Sequence, residues 1–185
     1  AQVKALLRGE KVEVDGALVQ MLHAAEFAPA RPIDVPIIVA ANGPKGLDVA
    51  RELGDGVMTI GGGAEFDWCA VLAFGTVLDD GEDPGSERCL AAAGPAMTVV
   101  YHAMWEGGAV DGLPGGAEWR ERLESLPEAE RHLAVHTDHL VGVTERDRPL
   151  LNGDLVKAFT WTGERKELRE RLEALAASGA SEILY

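Results

Sequence analysis

The chain has 185 residues, 46% of them hydrophobic and 26% charged, and 17 Lys and Arg against 31 Asp and Glu give a formal net charge of -14 at pH 7. This composition is typical of a globular protein and excludes a disordered tail. An acidic surface repels a phosphate backbone, so we expect no nucleic-acid partner. No run of about 18 apolar residues occurs and no basic segment precedes an apolar one, so the sequence predicts a cytoplasmic protein with no membrane partner.

The chain opens with a helical pattern. Residues 3–8 are typical of the end of a helix, and Gly9 marks its stop. No initiator Met precedes Ala1, and residues 183–185 are typical of the beginning of a buried strand. We therefore expect residues 1–185 to form a single domain that is a fragment of a longer protein.

Next come two short segments in which apolar and polar residues alternate. Residues 11–14 and 17–21 flank Asp15-Gly16, a dipeptide that favours a two-residue hairpin turn. The sequence therefore predicts a β-hairpin excursion over about residues 11–22.

A strand, a helix and a second strand are predicted over residues 36–60. Residues 36–41 form a continuous apolar run, which indicates a strand buried on both faces. Pro44 suits the first turn of a helix that extends from about Lys45 to Leu53. Residues 57–60 predict the next strand, and such a unit is almost always a parallel crossover.

Apolar residues at helical spacing predict helices in the middle of the chain. One is expected over residues 66–77, a second over residues 86–93, and a third from Gly94-Pro95 to Gly107. Cys69 and Cys89 do not have the spacing of a metal or redox motif. We expect both to be small buried hydrophobic residues in helical segments.

The last third of the chain is predicted to mix helices with two short strands. Residues 117–140 have a helical pattern that is broken at Pro127. Residues 157–161 are a strand candidate, and residues 164–178 form an amphipathic helix. Residues 183–185 then begin another strand.

Two glycine-containing turns follow the two predicted parallel strands. Asn42, Gly43 and Lys45 place a helix N-terminus and an ammonium group after the first strand, and Gly61–Gly63 follow the second. Carboxyl ends of parallel strands lie at one edge, where backbone amides often bind phosphate. We expect a positive φ at Gly62. The alternative interpretation is that these glycines only form tight turns.

Several histidines lie close together in the sequence. His132, His136 and His139 would share one face of a helix, which is the geometry of a zinc site, but no general-base Glu accompanies them. Solvated or capping side chains, or polar groups in a substrate pocket, are the alternatives. We predict no metal and keep His136 and His139 as weak catalytic candidates, whereas His102 is expected to be structural.

Trp161 differs from the other tryptophans, for which we expect a packing role. It ends the strand candidate over residues 157–161, directly before Thr162-Gly163. That position would place Trp161 at the same edge as the glycine turns, as one wall for a flat ring cofactor.

Residues 35–57, with the sequence VPIIVAANGPKGLDVARELGDGV, resemble the later half of the luciferase-like monooxygenases and their deazaflavin-dependent relatives. In that family, a strand that ends in Ala-Ala is followed by Gly-Pro, an apolar helix and a turn of the Gly-Asp-Gly type. Residues 159–183 are similar to the C-terminal helix and ending of the family, and residues 6–16 match its upstream segment. The resemblance is weaker over residues 64–151.

The resemblance implies a fold of the α/β class, a (β/α)8 TIM barrel that binds FMN or coenzyme F-420, a deazaflavin. Because a complete barrel takes about 250 residues, the chain would form a partial barrel, the C-terminal half to two-thirds. Asn42, Gly43 and Lys45 would lie near the cofactor tail. The turn that holds its phosphate matches Thr59, Ile60, Gly61, Gly62 and Gly63. Relatives that use a lysine in this turn have it where the present sequence has glycine.

The implied activity is that of a flavin- or deazaflavin-dependent oxidoreductase or monooxygenase. Hydride would pass between the cofactor and an organic substrate or nicotinamide, with or without incorporation of molecular oxygen. The fragment alone is expected to be inactive, and its expected partners are a small-molecule substrate and further copies of itself in a homo-oligomer. The alternatives are a catalytically silent flavin-binding or subunit-interaction protein and a metal-dependent hydrolase on a barrel.

Overall fold

The computed structural model describes residues 1–24 and 26–185. Helix α1 is Gln2–Arg8 and ends at Gly9. Strands β1, Val12–Val14, and β2, Ala17–Val19, form an antiparallel hairpin around Asp15-Gly16. The predicted first helix and hairpin are therefore confirmed. Among the helices of the described residues, none combines the length and the apolar character that a membrane span requires.

A four-stranded parallel sheet forms the second part of the fold. Its strands are β3, Ile38–Ala40; β4, Gly56–Ile60; β5, Cys69–Leu72; and β6, Glu182–Leu184. They lie side by side in chain order, β3-β4-β5-β6. Helix α2, Pro44–Leu53, connects β3 to β4, so the predicted pair of adjacent parallel strands joined by a helix is confirmed.

Strand β3 is less buried than its apolar sequence predicts. Ile38 and Val39 are half-buried and Ala40 is exposed. The expectation that this strand is buried on both faces was wrong, because β3 lies at one edge of the sheet and pairs with β4 on one side only within the described residues.

Strand β5 replaces the helix predicted over residues 66–77. Its residues Cys69, Ala70 and Val71 are almost fully buried because β5 lies between β4 and β6. The helical spacing of the flanking aromatic residues was misleading, since four consecutive apolar residues also suit a central strand. Cys69 is therefore buried as expected, but in a strand.

Most of the remaining helices lie between β5 and β6. Helix α3, Glu87–Glu106, is continuous although two helices were predicted there. Pro95 lies inside it and removes one backbone hydrogen bond. A stripe of fully buried residues at four-residue intervals continues on either side of Pro95: Cys89, Ala93, Met97 and Tyr101. The packing of this stripe outweighs the loss of the backbone hydrogen bond.

Several elements after α3 agree with the sequence pattern. Helices α4, Gly116–Glu124, and α5, Glu128–Val135, are separated at Pro127 as predicted, and helix α7, Arg165–Ala177, matches the amphipathic pattern. The strand candidate over residues 157–161 was wrong, because residues Gly153–Phe159 form helix α6. Asn152 caps this helix by accepting hydrogen bonds from the amides of Asp154 and Leu155.

Two groups of buried side chains stabilise the structure. One lies among the helices and includes Met97, Tyr101 and Trp119. The other covers one face of the sheet, where Val57 and Val71 pack with residues of α2 and α7. The described residues form an open parallel sheet and not a closed barrel.

Candidate functional site

A cleft of about 770 Å³ lies at the carboxyl ends of β4 and β5, between these strands and the helical part of the chain. Its walls are largely apolar. The sheet contributes Ile60, Gly61, Gly62, Gly63, Leu72 and Phe74; α3 contributes Ala96, Val99 and Val100; and the remaining walls include His139, Leu140, Phe159, Thr160, Trp161, Arg171, Ala174, Leu175 and Ser178.

The glycine turn lines this cleft. Gly61 has a φ of 88°, in the left-handed region that favours glycine. The positive φ expected at Gly62 is therefore at Gly61 instead. A Cβ atom at Gly61 or Gly62 would meet no atom within 4 Å, so both residues face open space. Within the described residues, the amides of Gly61 and Gly62 form no hydrogen bond.

Gly63 has a packing role that the other two glycines do not share. Its amide donates a hydrogen bond to Ser178 Oγ at 3.2 Å. A Cβ atom there would lie 2.6 Å from the carbonyl oxygen of Ser178. The end of α7 therefore approaches the turn so closely that only glycine fits at position 63.

Arg171 and Trp161 form another part of the cleft wall. The Arg171 guanidinium lies 4.5 Å from the centre of the Trp161 indole ring, in a cation–π contact. Arg171 Nη2 also donates to the carbonyl oxygen of Thr160 at 3.2 Å. The Trp161 amide donates to the carbonyl oxygen of Phe74 at 2.7 Å, which fixes the tryptophan next to the end of β5. A flat aromatic face and a permanent positive charge therefore meet in this wall.

Arg171 was not among the predicted site residues. The signal was its position in α7: Arg171 lies three residues after Leu168 and four before Leu175, both of which are buried. Residues at this spacing share one helix face. An arginine on the buried face of an amphipathic helix is unusual and indicates a specific partner.

The other predicted cofactor residues lie outside the cleft lining. Asn42 Oδ1 accepts a hydrogen bond from the Ile60 amide at 2.7 Å and so holds the end of β4. Gly43 precedes α2, and Lys45 is exposed. Thr59 is buried, and its hydroxyl donates to the carbonyl oxygen of Gly62. Asn42 and Thr59 thus support the turn. Of the predicted cofactor residues, Ile60, the three glycines and Trp161 line the cleft.

Of the histidines singled out in the sequence, His139 reaches the cleft. His136 is exposed, with Nε2 3.0 Å from Glu106 Oε1, and His132 is exposed on α5. The stretch after Val135 forms turns, not the continuous helix that was predicted. The described residues contain no group of histidine, cysteine or carboxylate side chains that could hold a metal ion.

His139 is partly buried and contacts two other imidazoles. Its Nδ1 lies 3.4 Å from Nδ1 of His102, and its ring centre lies 5.3 Å from that of His136. Burial, followed by the nearby His102 and His136, lowers the pKa of His139 below its ordinary value. A neutral imidazole near pH 7 is therefore expected at the edge of the cleft.

A buried carboxylate lies behind these histidines. Asp147 is 1% exposed and accepts hydrogen bonds from Trp119 Nε1 and Thr144 Oγ1, each at 2.7 Å, and from Arg146 Nε at 3.0 Å. Burial by itself would raise the pKa of Asp147, but the neighbouring His102, followed by the donors Arg146, Trp119 and Thr144, holds its pKa far below the ordinary value. Asp147, like Arg171, was not among the predicted site residues.

One comparison with known proteins bears on this site. Residues 1–71 match the family model described as Luciferase-like monooxygenase. The matched segment includes β3, α2, β4 and the Gly61–Gly63 turn, and it covers 71 of the 185 residues. Among curated proteins, no sequence matches this chain.

The family match ends within β5, so α3, His139, Trp161 and Arg171 lie beyond it. It indicates an oxidoreductase or monooxygenase kind of protein. The likeness of residues 159–183 to the end of the family remains a prediction. Over residues 1–71, the resemblance to the luciferase-like monooxygenases is confirmed.

Proposed function

We propose that this chain forms the C-terminal part of a flavin- or deazaflavin-dependent oxidoreductase of the luciferase-like type. One observation carries the proposal: the Gly61–Gly63 turn, which lies inside the family match, opens into the same cleft as the Trp161 and Arg171 pair. A backbone anion site and an aromatic wall therefore face one space.

The residues present fit a cofactor with a flat ring and an anionic tail. Apolar side chains such as Leu72, Phe74 and Phe159 line the cleft, and such walls suit a planar ring. The Gly61 and Gly62 amides supply donors without an obstructing side chain, and Arg171 supplies a positive charge. Local donors of this kind are needed because the chain as a whole is strongly acidic.

Each residue has a separate task in this proposal. Trp161 contacts the ring and excludes water from one of its faces, while Arg171 neutralises negative charge and holds the Trp161 ring in place. The Gly61 and Gly62 amides bind anionic oxygens of the tail. The cofactor, when bound, supplies the hydride chemistry, and the protein supplies binding, orientation and a site with little water.

The proposed architecture is a consecutive segment of a (β/α)8 barrel, about the C-terminal half to two-thirds. It is supported by four parallel strands that lie in chain order, without the reversal of order found in doubly wound sheets. The cleft also lies at the carboxyl ends of β4 and β5, which is where barrel enzymes bind their ligands.

The choice between the deazaflavin coenzyme and FMN rests on the stretch AANGPK at residues 40–45, which resembles the deazaflavin-dependent branch more than the luciferases. We therefore propose the deazaflavin first and FMN second. The substrate is a small organic molecule or nicotinamide, and the proposed setting is a cytoplasmic homo-oligomer.

Equilibrium titration of the purified chain with FMN and with the deazaflavin, followed by cofactor absorbance and fluorescence, tests this proposal. We expect saturable binding of at least one of them. Binding without turnover is the expected result for this chain alone, whereas binding without turnover of nicotinamide or added organic substrates by the full-length protein would favour a silent flavin-binding protein. No binding of either cofactor, in a sample shown to be folded by circular dichroism, would refute the proposed function.

A further inference from the structure

A row of three side chains connects the buried core of the helical part to the cleft. Asp147 is at its inner end, His102 is in the middle, and His139 is at the outer end, where it lines the cleft. Asp147 and His102 are 1% and 2% exposed, so the row passes through a region without bulk water.

The inner end of the row is a fixed negative charge. The donors Trp119, Thr144 and Arg146 together hold both carboxylate oxygens of Asp147. His102 Nε2 lies 3.5 Å from Asp147 Oδ2 and forms no hydrogen bond within the described residues. A buried ring nitrogen that faces a carboxylate is stabilised when it carries the proton.

This arrangement determines which nitrogen carries the proton along the row. With the proton of His102 on Nε2, its Nδ1 is an acceptor. The Nδ1 of His139, 3.4 Å away, is then the donor. A neutral His139 with its proton on Nδ1 has a free lone pair on Nε2, the form that accepts a proton from another molecule.

We propose that His139 is the acid–base residue of the cleft and that His102 and Asp147 are positioning residues that keep Nε2 of His139 unprotonated. His139 Nε2 accepts the proton of an O–H or N–H group on a molecule bound in the cleft. The bound molecule loses one proton, and the resulting positive charge is shared between the two imidazoles, while Asp147 stays ionised. The proposal rests on the proposed function only in using the same cleft.

The charged groups around His139 favour this assignment. His102 on α3 and His136 beside it oppose protonation, whereas Glu106 on α3 favours it. Arg171 lines the same cleft and adds positive charge. His139 is therefore neutral near pH 7 and ready to accept a proton, and the proton returns when product leaves.

Two-bond nitrogen–hydrogen correlation spectra of the 15N-labelled chain, recorded across a pH titration without cofactor, test the row directly. We expect His139 to have its proton on Nδ1 above its pKa. We also expect this pKa to lie below the ordinary value of a histidine side chain, because of burial and the nearby His102 and His136. A His139 with its proton mainly on Nε2 would overturn the proposal.

Two variants separate positioning from simple packing. Asp147→Asn removes the negative charge at the inner end, so we expect a mixed tautomer at His139 and a further decrease in its pKa. His102→Gln removes the neighbouring imidazole, so we expect the pKa of His139 to rise towards its ordinary value. A packing role for Asp147 and His102 would leave the tautomer and the pKa of His139 unchanged in both variants, and that outcome contradicts the proposal.

His132→Gln is the matched control, because His132 is exposed on α5 and lies outside the row. It should leave the His139 resonances unchanged. If Asp147→Asn fails to fold, His102→Gln and the wild-type tautomer decide the outcome. Since all of these spectra are recorded without cofactor, a negative result here is independent of the cofactor titration that tests the proposed function.

Discussion

The Arg171 guanidinium lies 4.5 Å from the centre of the Trp161 ring, and the two side chains form one wall of the cleft. The contact joins α7 to the segment that follows α6. It gives a largely apolar cleft in an acidic protein a permanent positive charge next to a flat aromatic face.

Replacing this arginine should weaken cofactor binding. We expect Arg171→Gln to reduce the affinity for FMN and for the deazaflavin by about 1.5–3 kcal/mol, the range for a hydrogen bond to a charged group. The measurement is a fluorescence titration at two salt concentrations. Wild-type affinity should fall as salt increases, and the variant should be less sensitive to salt.

Arg169→Gln is the matched control, because Arg169 lies on the same helix but is exposed and outside the cleft lining. It should bind cofactor like the wild type. Equal loss of affinity in both variants would mean that general charge, and not the position of Arg171, governs binding.

The glycine turn allows folding and binding to be tested separately. Gly63→Ala would place a Cβ atom 2.6 Å from the carbonyl oxygen of Ser178. We expect it to reduce the free energy of unfolding by about 1–3 kcal/mol, as overpacking does. Gly62→Ala, which faces open space, should leave this free energy unchanged in urea denaturation. Equal stability of the two variants would contradict the close approach of α7.

Gly62→Val should affect binding. A bulkier side chain at this open position projects into the space of the proposed anion site, so we expect a loss of about 1–3 kcal/mol in cofactor affinity. Lys45→Ala is the control, since Lys45 is exposed and lies outside the cleft lining. Unchanged cofactor affinity in a folded Gly62→Val variant would show that these glycines only form the turn and do not bind the cofactor.

The buried Asp147 carboxylate predicts a specific dependence of stability on pH. Its pKa in the folded chain is far below the unfolded value of about 3.9. The unfolded state therefore binds the proton first, and the stabilisation is complete above the unfolded pKa and lost as pH falls below it. Asp147→Asn should flatten the fall in stability between neutral and acidic pH, as measured by urea denaturation at several pH values.

Glu173→Gln, an exposed substitution on α7, provides the comparison. It should leave the shape of the pH profile unchanged. An Asp147→Asn profile as steep as that of the wild type would show that the acid sensitivity arises elsewhere in the chain.

The open sheet predicts association of the purified chain. Strand β6 lies at the edge opposite β3; its last residue, Leu184, is 38% exposed, and Tyr185, which follows it, is 66% exposed. Exposed strand edges favour pairing with another chain. We expect oligomers or aggregates in light scattering and sedimentation. A monodisperse monomer that unfolds cooperatively would count against the incomplete barrel.

The sequence predicted the elements whose signals are local. Apolar runs bounded by glycine and proline indicated β3, α2 and β4, and charge and leucine spacing indicated α7. Strand β5 was mistaken for a helix because four residues are too few to show a strand period among aromatic residues with helical spacing. For α6, which was predicted as a strand, the local signal that was overlooked is the N-cap residue Asn152.

The site was harder to predict because its parts come from distant segments. The glycine turn and Trp161 were expected at one edge, and both line the cleft. Arg171, His102 and Asp147 have no motif spacing, since helix packing and a buried hydrogen-bond network bring them to the site. Tertiary contacts of this kind leave no periodic pattern in the sequence.

Backbone amide chemical-shift mapping of the 15N-labelled chain during cofactor addition is the most direct test of the proposed site. We predict that the largest shifts occur at the amides of Gly61 and Gly62 and at the Trp161 indole, with little change at Asn42 and Lys45. Shifts confined to the Asn42–Lys45 segment, or no shifts in a folded sample at saturating FMN and deazaflavin, would contradict this prediction.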